Sequence, residues 1–269
     1  MAAVGTRSTE PVGFFTDSSI CIGCKACEVA CKEWNHVPVT DIRYMNSSYD
    51  NTGALGANSW RHVAFIEKKT DGGVAWLMNS DVCKHCQEAA CLDVCPTGAI
   101  FRTEFDTVVV QADVCNGCGY CIPACPFGVL ERREGVAEHP ETNGIAQKCT
   151  LCYDRLKIGY EPACAQACPT KSIQFGPKRE LRESAQRRLQ QLHSQGRNEA
   201  RLYLADESDN SIGGAGAFFL LLDSPPAYRL PENPIAPTRR LNEMWGAAAA
   251  AAGLLVAGLV VAAVGGGER

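Results

Sequence analysis

The sequence predicts an α+β fold: two small units, one inserted in the other, followed by a single C-terminal transmembrane helix. Three observations predict it. All sixteen cysteines of the 269-residue chain fall between Cys21 and Cys168, in four tight groups of four. Short strand-like stretches follow the cysteine groups, a repeat of loop, short helix and strand. The stretch Ala247 to Val264 is eighteen uncharged, predominantly apolar residues.

The composition narrows the field before any motif is read. A chain of this length can build a sizeable core or two modest domains. The net charge is −4 with no long basic run, so no nucleic-acid partner is expected. The N-terminal "MAAVGTRSTEPVGFFTD" has neither an apolar h-region nor a twin arginine, so no export signal is expected there. Disulfide scaffolds scatter their cysteines, whereas here several lie three residues apart, too close to pair without strain. Clustered thiolates point to metal ligation.

The groups are Cys21, Cys24, Cys27, Cys31; Cys83, Cys86, Cys91, Cys95; Cys115, Cys118, Cys121, Cys125; and Cys149, Cys152, Cys164, Cys168. The third, "CNGCGYCIPACP", is the bacterial ferredoxin run C-x2-C-x2-C-x3-C-P. The first keeps its spacing with Lys32 in place of the proline, the second lengthens one gap, and the fourth lengthens that gap to eleven residues. Three thiolates two residues apart wrap a loop around one cubane, and the fourth, on the following helix, reaches a neighbouring cluster. Sixteen cysteines at four per cubane give four [4Fe–4S] clusters with no thiol left over. Zinc suits isolated C-x2-C pairs but does not call for this run; a structural zinc or disulfide protein is the remote alternative.

The same rule predicts crossed ligand sets. Groups two and three, close in sequence, form one unit: Cys83, Cys86, Cys91 and Cys125 around one cubane, Cys115, Cys118, Cys121 and Cys95 around the other. Groups one and four pair across the intervening chain: Cys21, Cys24, Cys27 and Cys168, then Cys149, Cys152, Cys164 and Cys31. The expected organisation is a ferredoxin-like unit over 12–35 and 141–178, a second inserted at 36–140, a docking helix, strand and connector over 179–238, and a transmembrane helix over 245–265.

The remaining elements follow from periodicity and breakers. "GAIFRT", "TVVVQAD", "GVLERRE" and "KSIQFG" read as strands after groups two, three and four; "RHVAFIEKK" and "GVAWLMNSD" read as a strand pair around "TDGG". "PKRELRESAQRRLQQLHSQG" reads as an amphipathic helix closed by Gly196, with Leu181, Ala185, Leu189 and Leu192 on one face and arginines on a solvated one. "GGAGAFFLLLDSP" reads as a buried strand, and "SPPAYRLPENPIAPT" as a stiff extended connector. As a helix the terminal apolar stretch spans about 27 Å, close to a bilayer core, with Trp245 as its interfacial anchor and Gly253 and Gly258 suiting close packing on another membrane helix. His85 reads as a hydrogen-bond donor near a cluster or a packing residue, Trp34 as packing. Lys25, Lys84 and Lys148 adjoin cysteines, where positive charge raises a cluster's potential, but ordinary surface lysines explain them nearly as well.

Taken together, "CIGCKACEVACKEWN", "CKHCQEAACLDVCPTGAI", "CNGCGYCIPACPFGV" and "KCTLCYDRLKIGYEPACAQACPTKSIQFG" resemble the four cluster motifs of the beta subunits of molybdopterin oxidoreductases. Within that group the chain is most similar to the iron–sulfur subunits of membrane-bound formate dehydrogenase. The similarity extends to "LYLADESDNSIGGAGAFFLLLDSPPAYRLPENP" and the terminal span, which related dimethyl sulfoxide, polysulfide and tetrathionate reductase subunits generally lack. Nitrate reductase relatives replace one group-three cysteine by tryptophan; Cys118 is present here. The resemblance implies a large catalytic subunit with a molybdenum or tungsten pterin that oxidises formate, and a membrane cytochrome b or related quinone-binding subunit. This chain then carries electrons between them, with no catalytic residue and no substrate chemistry of its own. It implies too that groups one and four face the catalytic subunit, and that the cluster domain lies outside the cytoplasm at the cell membrane, held to lipid by the terminal helix. The positive-inside count, Arg239 and Arg240 against Arg269, points weakly the other way. The same role in another pterin-dependent oxidoreductase or a membrane hydrogenase is the alternative.

Metal analysis is expected to return about sixteen iron and sixteen acid-labile sulfide per chain, four clusters of four; a sample rich in zinc and poor in iron overturns the reading.

Overall fold

The computed structural model describes residues 10–39, 46, 48–70, 72–136, 140–206 and 212–265. Asp71 of the "TDGG" turn, residues 207–211 and Arg269 lie outside the described residues. Strand β1 (Val12–Asp17) leads to helix α1 (Ala26–Trp34), then to the hairpin of β2 (Arg61–Thr70) and β3 (Gly73–Val82). Helix α2 (Ala90–Asp93), strands β4 (Ile100–Arg102) and β5 (Val108–Val110), helix α3 (Cys121–Ala124) and strands β6 (Glu131–Arg132) and β7 (Ala146–Gln147) follow. Then come helices α4 (Tyr153–Lys157) and α5 (Ala163–Gln166), strand β8 (Ile173–Pro177), helix α6 (Lys178–Ser194), strands β9 (Arg201–Tyr203) and β10 (Ala217–Leu221), and helix α7 (Leu241–Gly265).

One four-stranded sheet, in the order β8-β1-β10-β9, gathers segments from both ends of the chain. β1 runs antiparallel to β8, with Phe14 opposite Phe175, and parallel to β10, with Phe15 opposite Phe218. Every residue of β10 is buried, as a central strand with a parallel neighbour requires of its hydrophobic run. Phe15 stacks on Phe218 at 5.6 Å. The buried phenylalanines Phe14, Phe15, Phe218 and Phe219 each stabilise by about 2–3 kcal/mol relative to exposure. Helix α6 covers the sheet through Leu181, Ala185 and Leu192, all buried, with Leu189 half-buried. One of its arginines is not on a solvated face: Arg188 bonds Asp17 at 2.9 Å and the Ser19 hydroxyl at 2.9 Å.

The middle of the chain is made of small hairpins, β2–β3, β4–β5 and β6–β7. Between them the short cysteine-bearing helices pack in pairs, α1 on α5 and α2 on α3. The strand expected in "GVLERRE" shortens to Glu131–Arg132, because Val129 and Leu130 are spent on the core. The proline-rich run is not a free connector. Tyr228 is buried; its hydroxyl accepts from the Leu222 amide at 3.1 Å and shares a 3.2 Å hydrogen bond with the Ser18 hydroxyl. Asn79 Nδ2 donates to the Tyr228 carbonyl at 3.3 Å. The tyrosine gives that run a polar and an apolar anchor, which its proline content alone conceals. Helix α7 starts at Leu241, ahead of the expected 245; an 18-residue window within 237–263 reaches a mean hydropathy of 2.2 with none of it buried. By length and composition it can cross a membrane.

The β1–β10 contact is close enough to demand glycine at one position: a Cβ on Gly13 would stand 2.2 Å from the Gly216 carbonyl oxygen. Gly13→Ala is expected to destabilise by about 1–3 kcal/mol. Thermal unfolding should register this as a fall of roughly 2–4 °C per kcal/mol, and an unchanged Tm contradicts the packing described.

Candidate metal centres

The cysteines are placed by tight loops that run into short helices, with a glycine or another left-handed residue at the turn. Gly23 and Gly117 adopt φ of 66° and 70°, and α1 and α4 begin from left-handed residues, Lys25 at 58° and Cys152 at 49°. Such conformations strain non-glycine residues and persist only where their surroundings fix them. All sixteen thiols are free of disulfides, so the disulfide framework is absent from the fold.

The structure brings the thiols together in four sets. Cys21, Cys24, Cys27 and Cys168 line one cavity, beside Val63 and Ser80. Cys83, Cys86, Cys91 and Cys125 line a second, beside His85 and Phe127. Burial raises the Cys31 thiol well above its ordinary range, and the thiols Cys149, Cys164 and Cys152 raise it further. The side-chain amide of Asn35 donates to the sulfurs of both Cys31 and Cys152, each at 3.7 Å. Burial pushes Cys121 up to about 11, and the neighbouring sulfurs of Cys115, Cys118 and Cys95 raise it further. Cys168 thus joins the cavity of Cys21, Cys24 and Cys27 from the far end of the cysteine region, and Cys125 joins that of Cys83, Cys86 and Cys91.

Four thiolates sharing one zinc would lie roughly 3.8 Å apart, from Zn–S bonds of about 2.3 Å. Among the described residues no three His, Cys, Asp or Glu side chains converge on a single-ion site; the first two sets ring cavities instead. Half of the thiols are buried, and burial pushes Cys91 and Cys149 up to about 12 and Cys27 up to about 11. A buried thiolate needs a partner charge, and bound iron supplies one. Cys95 differs: burial raises it, but the Ile100 amide and hydrogen bonds from Thr97 and Ala99 outweigh that and lower it.

Buried donors without partners also fit an absent group. His85 Nδ1 accepts from the Val108 amide at 3.1 Å, which places the proton on Nε2, and Nε2 has no partner. Burial holds His85 well below its usual pKa, aided by Lys148, Lys178 and Arg102, so a neutral ring lines the second cavity with a spare N–H. Lys84 and Lys148 are not surface lysines, being 1% and 2% exposed. Lys84 pairs with Asp81 and stands 5.0 Å over Phe127; Lys148 donates to the Val108 and Cys149 carbonyls. Trp34 is half-exposed rather than packed, its indole donating to Asp154 at 2.7 Å under the Arg155 guanidinium. The sequence reading missed Arg61, which is 1% exposed. The available signal was its place two residues before Val63, on the buried face of a strand.

The comparisons with known proteins agree with this geometry. Two profiles described as 4Fe-4S dicluster domains match residues 20–99 and 74–178. The nitrate-inducible formate dehydrogenase iron-sulfur subunit of Escherichia coli (strain K12) is 40% identical over 222 residues, 81% of this chain and 71% of that one. The formate dehydrogenase-O iron-sulfur subunit of the same organism is 40% identical over 229 residues, 84% of this chain and 72% of that one. The B subunit of that organism's anaerobic dimethyl sulfoxide reductase is 40% identical over 182 residues, 65% of this chain and 78% of that one.

Proposed function

Because the chain belongs to the family of formate dehydrogenase iron–sulfur subunits, we propose that it carries electrons from a pterin-bearing subunit that oxidises formate toward a membrane partner that reduces quinone. The chain is an electron-transfer subunit of an oxidoreductase and holds four [4Fe–4S] clusters. When bound, each cluster supplies a one-electron couple. The residues of this chain hold the clusters apart, exclude water and set the local charge. The formate reading rests on coverage: the formate dehydrogenase relatives match 81% and 84% of the chain, the dimethyl sulfoxide reductase relative 65%.

The ligands we assign are the crossed sets. The observation that carries this is the grouping of thiols, with Cys168 at the cavity of Cys21, Cys24 and Cys27, and Cys125 at that of Cys83, Cys86 and Cys91. The nested organisation, 12–35 with 141–178 around 36–140, is supported by β1–β8 pairing and by the helix pairs α1–α5 and α2–α3. The dicluster profiles run in sequence order and do not themselves draw these boundaries.

The root of α7 is tied to the segment of the second cysteine group. Thr238 Oγ1 donates to Asp93 at 2.6 Å and Arg239 pairs with Glu88 at 2.5 Å. Both acids belong to the segment carrying Cys86 and Cys91, so the unit of groups two and three lies nearer the membrane and groups one and four face the catalytic subunit. The partner there is an integral cytochrome b or quinone-binding subunit, with lipid around α7. The cluster domain is assigned to the extracytoplasmic side, the arrangement that the family resemblance implies, against a positive-inside count of Arg239 and Arg240 to Arg269.

The purified complex is expected to reduce a dye with formate as the electron source; no formate-dependent reduction overturns the substrate. Cys31→Ala is expected to damage the cluster of Cys149, Cys152 and Cys164 while the set of Cys21, Cys24, Cys27 and Cys168 keeps its cluster, as read by iron content and electron paramagnetic resonance. Loss of only the latter cluster overturns the crossing.

A further inference from the structure

Arg61 opens β2 where α1 and α5 pack on one another and α1 reaches β2. Its Nη1 donates to the Ser80 carbonyl at 3.2 Å and the Ser80 hydroxyl at 3.1 Å. That hydroxyl stands 3.4 Å from Cys27 Sγ. The guanidinium lies 4.9 Å over the Phe14 ring, which seals one face. Nε and Nη2, the bidentate edge of the fork, are buried and have no partner. The charges that act on Arg61 are sulfurs of two sets, Cys164, Cys27, Cys149 and Cys31. Among the described residues no carboxylate pairs with it. Arginine keeps its charge at any accessible pH, and a buried cation without a counter-ion is costly.

We propose that Arg61 is a shared counter-ion for the cluster of Cys21, Cys24, Cys27 and Cys168 and the cluster of Cys31, Cys149, Cys152 and Cys164, its Nε–H and Nη2–H donating to their sulfur. The proposal rests on the crossed ligand sets and deepens them. Each added electron makes a cluster more negative, and a fixed cation in a low-dielectric interior favours that reduced form. Arg61 is thus a positioning residue that raises both potentials in concert. The cluster of Cys83, Cys86, Cys91 and Cys125 lies beside two other cations, Lys84 and Lys148, and the sulfurs that act most on Arg61 include none of Cys95, Cys115, Cys118 and Cys121, so these two clusters do not depend on it.

The test is a redox titration of the intact complex carrying Arg61→Gln, followed by electron paramagnetic resonance. The reduction equilibria of the two assigned clusters should fall at least tenfold, which is 59 mV for one electron. The other two should hold within about twofold, and Arg61→Lys, which keeps the charge, should restore most of the loss. Unchanged equilibria with a full iron complement overturn the proposal but leave the ligand sets standing, and an equal shift of all four clusters overturns it as well. A wild-type complex short of iron fails the ligand reading instead. Should the glutamine variant lose its clusters, wild-type complex labelled with ¹⁵N-arginine decides. Its reduced clusters should show arginine nitrogen coupling by electron spin-echo modulation, diminished in Arg61→Lys. No coupling in the wild type, or undiminished coupling in the lysine variant, overturns the proposal.

Discussion

The architecture depends on the pairing of β1 with β8, which holds residues 12–16 against 173–177. Cys21 follows the first strand and Cys168 precedes the second, so the ladder brings two distant cysteine loops to one cavity. It is reinforced where it matters: the Asp17 amide donates to the Ser172 carbonyl at 2.8 Å and the Ser172 hydroxyl to the Asp17 carbonyl at 2.7 Å. The Asp17 carboxylate is also held by Arg188. Closing so long a loop costs several kcal/mol of chain entropy, and the buried aromatic layer on β1 and β10 offsets that cost.

The second constraint is charge. Burial pushes the thiols of Cys27, Cys91 and Cys149 up and so opposes their ionisation. The fold answers by burying cations without ordinary surface roles, Arg61, Lys84 and Lys148. It also sets neutral donors against or near sulfur, His85 buried and Asn35 half-buried. These residues set the charge around the sulfurs, the property by which one iron–sulfur chain differs from another with the same cysteine spacing.

Much of the site was legible in the sequence because cysteine spacing is a direct imprint of cluster geometry. The run Cys115 to Cys125 announces its chemistry, and the long hairpin and α6 follow from plain periodicity. What was not legible depended on contacts across the chain. Arg61 and Lys148 look like solvent residues until the strands that bury them are assembled. The Pro-rich run reads as extended until Tyr228 is seen between Ser18 and Leu222. Strand β10 was readable as buried, yet its partner β1 lies some 200 residues away, and local pattern carries no register over that distance.

The central position of β10 has a consequence in time. All sixteen cysteines precede it in the chain, yet the sheet that joins β1, β8 and β9 closes only when Ala217–Leu221 takes its place. During synthesis the cysteine loops therefore leave the ribosome before the sheet that locks their region can form. Until then the edge of β1 that carries Phe14 and Phe15 lacks its β10 partner. The strand that ends that interval precedes α7, the helix long and apolar enough to cross a membrane.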